Sequence, residues 1–138
     1  MTQRSLFSFL RRRPVGVGID LVEVADVVAA LASPRAERYL DLVYTSGELR
    51  DCATPDGRVD PTKLASRFAA KEAVWKALGD AAMDLGWQSV EVVRGRGGRP
   101  SLRLSASAAG IARSLGFRRF AVSLTHEPRY AAAVVVAT

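Results

Sequence analysis

Residues 60–79 read DPTKLASRFAAKEAVWKALG, the longest helical pattern in the chain. Asp60 and Pro61 are residue types that begin helices, an N-cap carboxylate followed by a proline in the first turn. Gly79 is the residue type that most often ends them. No glycine or proline lies between these signals, so we predict one long helix over residues 62–78.

The predicted helix has an apolar stripe that is interrupted by charge. At about 100° per residue, one face holds four large apolar side chains: Leu64, Phe68, Trp75 and Leu78. Lys71 projects into the middle of this stripe, Arg67 lies at its margin, and Glu72 and Lys76 lie on a flank. The other side is mostly alanine, which suits close packing. Two interpretations stay open: the charges reach solvent, with Glu72 and Lys76 as an ordinary i,i+4 pair, or they line a cleft.

Strands are predicted both before and after this helix. They cover residues 14–21, 88–94, 101–104, 120–125 and 130–137, the second and third forming a hairpin. Shorter helices are predicted over residues 23–31, 35–43 and 105–115. Thr45 and Glu48 have the spacing of a capping box. The predicted fold class is α+β, a long central helix packed on a small antiparallel sheet in a single domain.

The composition is that of one globular domain. The chain has 138 residues, 49% hydrophobic and 25% charged, which excludes a disordered or collagen-like protein. Its longest apolar run is far too short to span a bilayer. The single cysteine, Cys52, excludes an internal disulfide and favours a reducing compartment, so we expect a cytoplasmic protein. We divide the chain into a basic N-terminal extension, residues 1–13, and one domain, residues 14–138.

The charge balance favours anionic partners. The net charge is +6, and 17 of the 20 basic residues are Arg. Nucleic acid, an acidic protein and a phosphorylated small molecule are the three candidates. A nucleic-acid-binding module is the weakest of these, because no base-stacking motif accompanies the arginines. We therefore expect no nucleic acid and no membrane among the partners.

Two acidic residues far apart in the sequence are candidates for one metal site. Asp20 directly follows an apolar run, so it is expected at a strand end, where sites are commonly built. Beside Glu72 it would supply two carboxylates, a ligand set that Mg²⁺ completes with water and substrate phosphates. Asp20 is equally suited to cap the helix that follows it.

Three other features carry weaker signals. His126, the only histidine, is expected at a strand end, where it is either a hydrogen-bonded turn residue or a site residue. Nothing local supports a nucleophile pair of Cys52 and His126. The glycine-rich loop 95–100 opens no helix and fits no nucleotide-binding motif, so a hairpin turn is its default interpretation, with Arg96 and Arg99 available to phosphate.

Three motifs occur in a defined order along the chain. They are GIDLVE at residues 18–23, RFAAKEAVWKA at residues 67–77 and SLTH at residues 123–126. Together they resemble the holo-acyl-carrier-protein synthase family of 4′-phosphopantetheinyl transferases. The resemblance implies Mg²⁺-dependent transfer of phosphopantetheine from coenzyme A to a serine of an acyl carrier protein. Adenosine 3′,5′-bisphosphate is released, and the product serves fatty-acid synthesis, a polyketide pathway, or both.

The resemblance also implies roles for individual residues. Asp20 and Glu72 match the Mg²⁺ ligands and Lys76 matches a lysine near the pyrophosphate, so these three are the expected catalytic residues. The expected coenzyme A contacts are Arg67, Lys71, Lys76, Gly98, Arg99, Pro100, Thr125 and His126. Arg67 and Lys71 match positions that either lie near the phosphates or support the helix. The base for the serine stays open among Glu72, a metal-bound water and a phosphate oxygen.

The implied partners are an acidic acyl carrier protein and further copies of the chain. The family is typically a homotrimer with active sites between subunits, which would place the alanine side of the long helix against a neighbour. Family members often carry a basic residue six positions after the strand-end aspartate, where the carrier docks, but this chain has Asp26. The alternative function is a non-catalytic binder of coenzyme A or of a carrier protein.

Overall fold

A computed structural model describes residues 13–138. The predicted extension, residues 1–13, lies outside the described residues except for Arg13. The elements are β1 (Gly16–Glu23), α1 (Val24–Ala32), α2 (Ala36–Val43), α3 (Ser46–Cys52), α4 (Pro61–Leu78), β2 (Val90–Arg94), β3 (Pro100–Leu104), α5 (Ala106–Ser114), β4 (Phe120–His126) and β5 (Tyr130–Ala137). The α+β class is confirmed, and the predicted elements are present with ends shifted by two residues at most. No helix in this part of the chain is both long enough and apolar enough to cross a membrane.

Helix α4 begins and ends on the predicted signals. The Asp60 carboxylate accepts hydrogen bonds from the backbone N–H groups of Thr62 and Lys63, at 2.9 and 3.3 Å. Pro61 occupies the first turn, where a backbone N–H would have no helical partner. Gly79 follows with φ of +69°, a conformation that favours glycine. Local chemistry therefore sets both ends of the central element.

The central sheet is antiparallel, in the order β1-β5-β4, and α4 packs against all three strands. Alternation along β1 turns Gly16, Gly18, Asp20 and Val22 toward the helix. A Cβ atom at Gly18 would lie 1.7 Å from the carbonyl oxygen of Ala73. Helix and strand thus approach closely at a point where only glycine fits.

The alanine-rich side of α4 is covered by its own chain. Ala65, Ala69, Ala70 and Ala73 are completely buried among the described residues. The sheet covers one side of the helix, while α1, α3 and β2 pack against other sides. The expectation that this side packs against another subunit is therefore wrong. The helix lacks a broad solvated face because it is the core element of one chain.

The β2–β3 hairpin is a separate two-stranded sheet. The predicted capping box at α3 is confirmed: Thr45 Oγ1 accepts from the Glu48 N–H at 3.2 Å, and Glu48 Oε2 accepts from the Thr45 N–H at 3.0 Å. The Thr45 hydroxyl also donates to the Glu91 carboxylate of β2. The start of α3 is thereby attached to the hairpin.

The side of the central sheet that faces away from α4, here called the outer face, is apolar and exposed. Val17, Ile19 and Leu21 of β1 are 59%, 66% and 65% exposed. Val134 of β5 pairs with Ile19 and continues the patch. Thr125 of β4 also lies on this side of the sheet. Contiguous apolar surface of this kind usually marks an interaction site.

Candidate functional site

An ion pair joins β1 to one flank of α4. Lys76 Nζ lies 2.9 Å from Asp20 Oδ1 and donates to the Ile19 carbonyl oxygen at 3.0 Å. Asp20 lies within β1 rather than at its end, and Glu23 takes the N-cap position of α1, so both predictions of its placement are wrong. In the described part of the chain Lys76 pairs with Asp20, and the ordinary i,i+4 pair with Glu72 does not form.

Glu72 lies beside this ion pair. Burial raises the pKa of Glu72 above its ordinary value, the Asp20 carboxylate raises it further, and Lys76 opposes both effects. The hydrogen bond to Asp20 raises the pKa of Lys76. Asp20 and Glu72 line what we call the acidic cleft, together with Glu23, Asp26, Tyr39, Phe68 and neighbouring apolar residues, and Lys76 lies beside it through its pair with Asp20. A cation bound beside Glu72 would relieve the effect of the Asp20 charge on it.

The donors of the acidic cleft fit Mg²⁺. This ion is usually held by one or two carboxylates, with water and substrate phosphates completing its shell. Between residues 13 and 138 there is no cluster of three or more His, Cys, Asp or Glu side chains that would hold a metal ion. A magnesium ion bound by Asp20 and Glu72 would therefore take its other ligands from substrate and water.

A second cleft lies on the opposite flank of α4. This basic cleft is lined by Lys63, Ser66, Arg67, Val92, Arg94, Gly98, Pro100, Leu124 and His126. Arg67 is only 4% exposed, and its Nη1 donates to the Lys63 carbonyl oxygen at 3.2 Å. Its Nε has no hydrogen-bond partner among the described residues. A buried donor without an acceptor is unfavourable, so the cleft suits an anionic ligand that supplies one.

The two clefts are separated by the helix itself. Nine positions divide Arg67 from Lys76, which at about 100° per residue places them half a turn apart. In the sheet beneath, Asp20 and Leu124 both pair with Ala133 of β5, one from each side. Their backbones are therefore about 10 Å apart, two strand spacings. A single ligand reaching both clefts of one chain would have to pass around α4.

Residues 16–135 match the family model described as the 4′-phosphopantetheinyl transferase superfamily. The chain belongs to this superfamily. It is 46% identical over 123 residues to the holo-[acyl-carrier-protein] synthase of Frankia casuarinae, a match covering 89% of this chain and 96% of the relative. The synthase of Chloroflexus aurantiacus is 44% identical over 131 residues, with 87% and 95% covered. The Chronobacterium ammoniagenes ACPS-CoA complex has a TM-score of 0.76 at 30% identity, covering 91% of this chain and 97% of that one.

The transferase fold brings most of the predicted site residues into the two clefts. The expected catalytic residues Asp20, Glu72 and Lys76 lie together at the acidic cleft. Four expected coenzyme contacts line the basic cleft: Arg67, Gly98, Pro100 and His126. Residues from four different elements and one turn thus converge around α4.

Two predicted coenzyme contacts lie elsewhere in the transferase. Arg99 is exposed in the hairpin turn and does not line the basic cleft. Thr125 lies on the outer face, because alternation along β4 points it away from Leu124. Within one chain, neither residue lines the basic cleft that its sequence neighbours line.

Lys71 has a different role from a coenzyme contact. It is completely buried, and its ammonium group pairs with Glu48 and donates to the carbonyl oxygens of Trp87 and Val90. Burial lowers the pKa of Lys71, and the Glu48 carboxylate opposes this effect. An ammonium group has three donors, and all three are used here. The arrangement corrects the expected contact with coenzyme A and favours the supporting role that the resemblance also allowed.

Sequence reasoning missed three polar residues of the basic cleft: Lys63, Ser66 and Arg94. Lys63 precedes Arg67 by four positions, a spacing that places both side chains on one helix face. This spacing could have predicted Lys63 beside Arg67. Nothing local indicates Arg94, because it reaches the cleft only through the placement of the hairpin against α4.

Proposed function

We propose that this transferase moves the 4′-phosphopantetheine group of coenzyme A to a serine hydroxyl of an apo-acyl carrier protein, with Mg²⁺ as cofactor. Relatives named holo-[acyl-carrier-protein] synthase support the reaction, and the relative solved with coenzyme A supports the donor. The observation that carries the proposal is the placement of two clefts on opposite flanks of α4. The acidic cleft is lined by Asp20 and Glu72, with Lys76 paired to Asp20, and the basic cleft contains the buried Arg67. Coenzyme A has a pyrophosphate and a separate 3′-phosphate, one group for each kind of cleft.

The transfer exchanges one phosphorus–oxygen bond for another. The serine oxygen attacks the phosphorus atom that carries the pantetheine arm, and the bond from that atom to the bridging oxygen of the pyrophosphate breaks. The serine proton passes to a base, and the bridging oxygen leaves as part of adenosine 3′,5′-bisphosphate. Phosphoryl transfer requires positioning and charge neutralisation from the protein more than covalent participation.

Each cleft supplies part of this requirement. Asp20 and Glu72 would hold the Mg²⁺ ion, which when bound neutralises the pyrophosphate and stabilises the leaving group. Lys76, beside Asp20, adds positive charge at the leaving oxygen or protonates it. In the basic cleft, Arg67 and Arg94 would bind the 3′-phosphate, with the Nε of Arg67 gaining an acceptor.

We also propose that the active site is shared between copies of the chain in a homotrimer. The two clefts lie on opposite flanks of α4, and the basic cleft, about 230 Å³, is smaller than the roughly 300–1,000 Å³ of pockets that enclose a drug-sized ligand. The basic cleft of one copy facing the acidic cleft of another would accommodate the whole coenzyme. The exposed outer face, with Ile19 at its centre, supplies apolar surface for the contact, and Thr125 on that face would then lie near a neighbour's ligand.

The carrier protein is the second substrate of the proposed reaction. The net charge of +6 favours an acidic partner. Asp26, at the rim of the acidic cleft, disfavours one locally, so the carrier would depend on basic groups elsewhere for its attraction. Supply of fatty-acid synthesis and a cytoplasmic location stay predictions from the resemblance and from the single cysteine.

The function is tested by incubating the protein with coenzyme A, MgCl₂ and an apo-acyl carrier protein, then weighing the carrier by mass spectrometry. We expect a gain of one phosphopantetheine, equimolar adenosine 3′,5′-bisphosphate, and loss of both with EDTA until Mg²⁺ is restored. A carrier lacking the acceptor serine is the control. Binding of coenzyme A without transfer to any apo carrier would identify a non-catalytic binder, and tight salt-sensitive binding to RNA or DNA instead would favour a nucleic-acid-binding module.

A further inference from the structure

Glu48 and Lys71 form an ion pair in the interior of the domain, outside the lining of both clefts. Neither side chain is exposed, and Lys71 Nζ lies 2.8 Å from Glu48 Oε2. Lys71 also donates to the carbonyl oxygens of Trp87 and Val90, while Glu48 Oε1 accepts from the Val92 N–H at 2.8 Å. Every donor of the ammonium group and both carboxylate oxygens have partners, so this network holds a single arrangement.

The network connects the two walls of the basic cleft. Lys71 lies one turn after Arg67 in α4, the helix that forms the first wall. Val92 and Arg94 belong to β2, whose hairpin forms the second wall. The Glu48 carboxylate contacts both walls, because it pairs with Lys71 and accepts from the backbone of Val92.

Stability alone gives a weak reason for burying these charges. Desolvation of two ions offsets much of their attraction, and apolar side chains of similar volume often stabilise a core equally well. What an ion pair adds is directionality, since its hydrogen bonds fix the relative position of the groups that carry it. Here those groups are the helix and the hairpin that enclose the cleft.

We propose that Glu48 and Lys71 are positioning residues for coenzyme binding: their buried pair fixes the β2–β3 hairpin against α4 so that Arg67 and Arg94 reach the same phosphate group. This inference rests on the proposed function and assigns coenzyme binding and the transfer step to different groups of residues. The pair sets the affinity for the phosphoadenosine part of the coenzyme, while the transfer step depends on the acidic cleft on the other flank of α4.

Two variants test the proposal. Glu48→Gln keeps one oxygen as an acceptor for the Val92 N–H, but it removes the charge that holds Lys71 and puts an amide NH₂ group where Oε2 accepts from Lys71 and the Thr45 N–H. The double variant Glu48→Gln, Lys71→Met removes both charges and so leaves no buried ion unpaired. For both we expect the KM for coenzyme A and the Kd for adenosine 3′,5′-bisphosphate to rise about tenfold, with kcat changed by less than about threefold.

Phe117→Leu is the matched control for general destabilisation. Phe117 is buried beside Gly16, at the start of β1, and lines neither cleft. Its truncation should lower the Tm through lost packing and leave KM, Kd and kcat at wild-type values. The two tryptophans, Trp75 and Trp87, have ring centroids 5.4 Å apart, and the Trp87 carbonyl binds Lys71. Their fluorescence should therefore shift in the pair variants and stay unchanged in Phe117→Leu.

The outcomes separate the inference from the function on which it rests. A pair variant that is folded by circular dichroism and binds adenosine 3′,5′-bisphosphate as tightly as wild type would overturn the positioning role. An equal rise of Kd in Phe117→Leu, or a fall in kcat at unchanged KM, would overturn it as well. If Glu48→Gln does not fold, the double variant decides the matter, because it keeps the same acceptor for the Val92 N–H and leaves no buried ion unpaired. A wild-type protein that binds neither ligand would contradict the proposed function instead.

Discussion

At the scale of single residues, Glu72 occupies a cleft that disfavours its charge. Burial and the neighbouring Asp20 raise its pKa in the folded state, so the folded protein binds a proton there more tightly than the unfolded chain does. Folding stability therefore falls as the pH rises through the raised pKa, and this loss is absent below the ordinary pKa of a glutamate. Ionised Glu72 thus destabilises the metal-free protein at neutral pH.

Glu72→Gln is expected to remove activity without removing stability. Transfer should fall about a hundredfold or more, because one carboxylate of the proposed Mg²⁺ site is lost. The Tm of the metal-free variant should equal or exceed that of wild type at neutral pH, and the difference should vanish below about pH 3, where glutamate is protonated in both states. Asp20→Asn should be as inactive but gain no stability, because it breaks the ion pair with Lys76. Two measurements check this prediction: the Tm as a function of pH, from acid to neutral, and the mass of the carrier after the transfer assay. Wild-type transfer in either variant would contradict the proposed Mg²⁺ site.

Lys76 is expected to act on the transition state more than on the bound substrate. Its side chain is 52% exposed and already paired with Asp20, so its removal should cost little packing. Lys76→Met should lower kcat at least about tenfold and leave the Kd for coenzyme A nearly unchanged. Initial-rate assays of the transfer give kcat, and equilibrium binding gives the Kd for coenzyme A. Arg113→Gln, which removes one positive charge at an exposed position, is the control. A loss confined to binding would reduce Lys76 to a ground-state phosphate contact.

At the scale of elements, the contact between β1 and α4 sets the geometry of the acidic cleft. Gly18 lies two residues before Asp20, and Ala73 directly follows Glu72. Because the Gly18 backbone meets the Ala73 carbonyl group, the depth of this contact determines how far the two carboxylates lie from each other. A change in the packing of β1 against α4 would therefore also change the distance between the carboxylates of Asp20 and Glu72.

Gly18→Ala should damage stability and activity together. The new methyl group has no room against the Ala73 carbonyl oxygen, so helix and strand must separate, at a cost of about 1–3 kcal/mol of unfolding free energy. Gly86→Ala is the control, since a Cβ there meets no atom within 4 Å and the backbone has φ of −71°. Urea unfolding should show a lower midpoint for Gly18→Ala and little change for Gly86→Ala. A Gly18→Ala protein with wild-type stability would mean that the close approach is not required.

At the scale of the whole molecule, the outer face tests whether one copy of the chain is enough to form an active site. Ile19→Lys places a charge at the centre of this face. We expect light scattering to show monomers, and thermal unfolding to show that these monomers are still folded. Activity should fall with the trimer, because each site would need two chains. Leu42→Lys is the control, an equally exposed apolar residue on α2 and outside the outer face. A fully active monomer would contradict the shared site, and an intact trimer would place the interface elsewhere.

Signals that act over a few residues determined the elements from the sequence alone. Asp60, Pro61 and Gly79 set the ends of α4, and Thr45 with Glu48 set the start of α3, because caps are satisfied by neighbours in the chain. The motifs around Asp20, Glu72 and His126 likewise predicted the family, and four of their predicted site residues line the two clefts: Asp20, Glu72, Arg67 and His126.

Only the tertiary structure decided which groups meet across the chain. Lys71 lies on the same helix as Arg67 and Lys76, yet it is buried against Glu48 because α3 and the hairpin cover that side of α4. Arg94 lines the basic cleft because the β2–β3 hairpin packs against α4. Thr125 does not line it, because alternation along β4 points its side chain to the outer face. Burial of a charge depends on what long-range packing places over it, and no local pattern of residues contains that information.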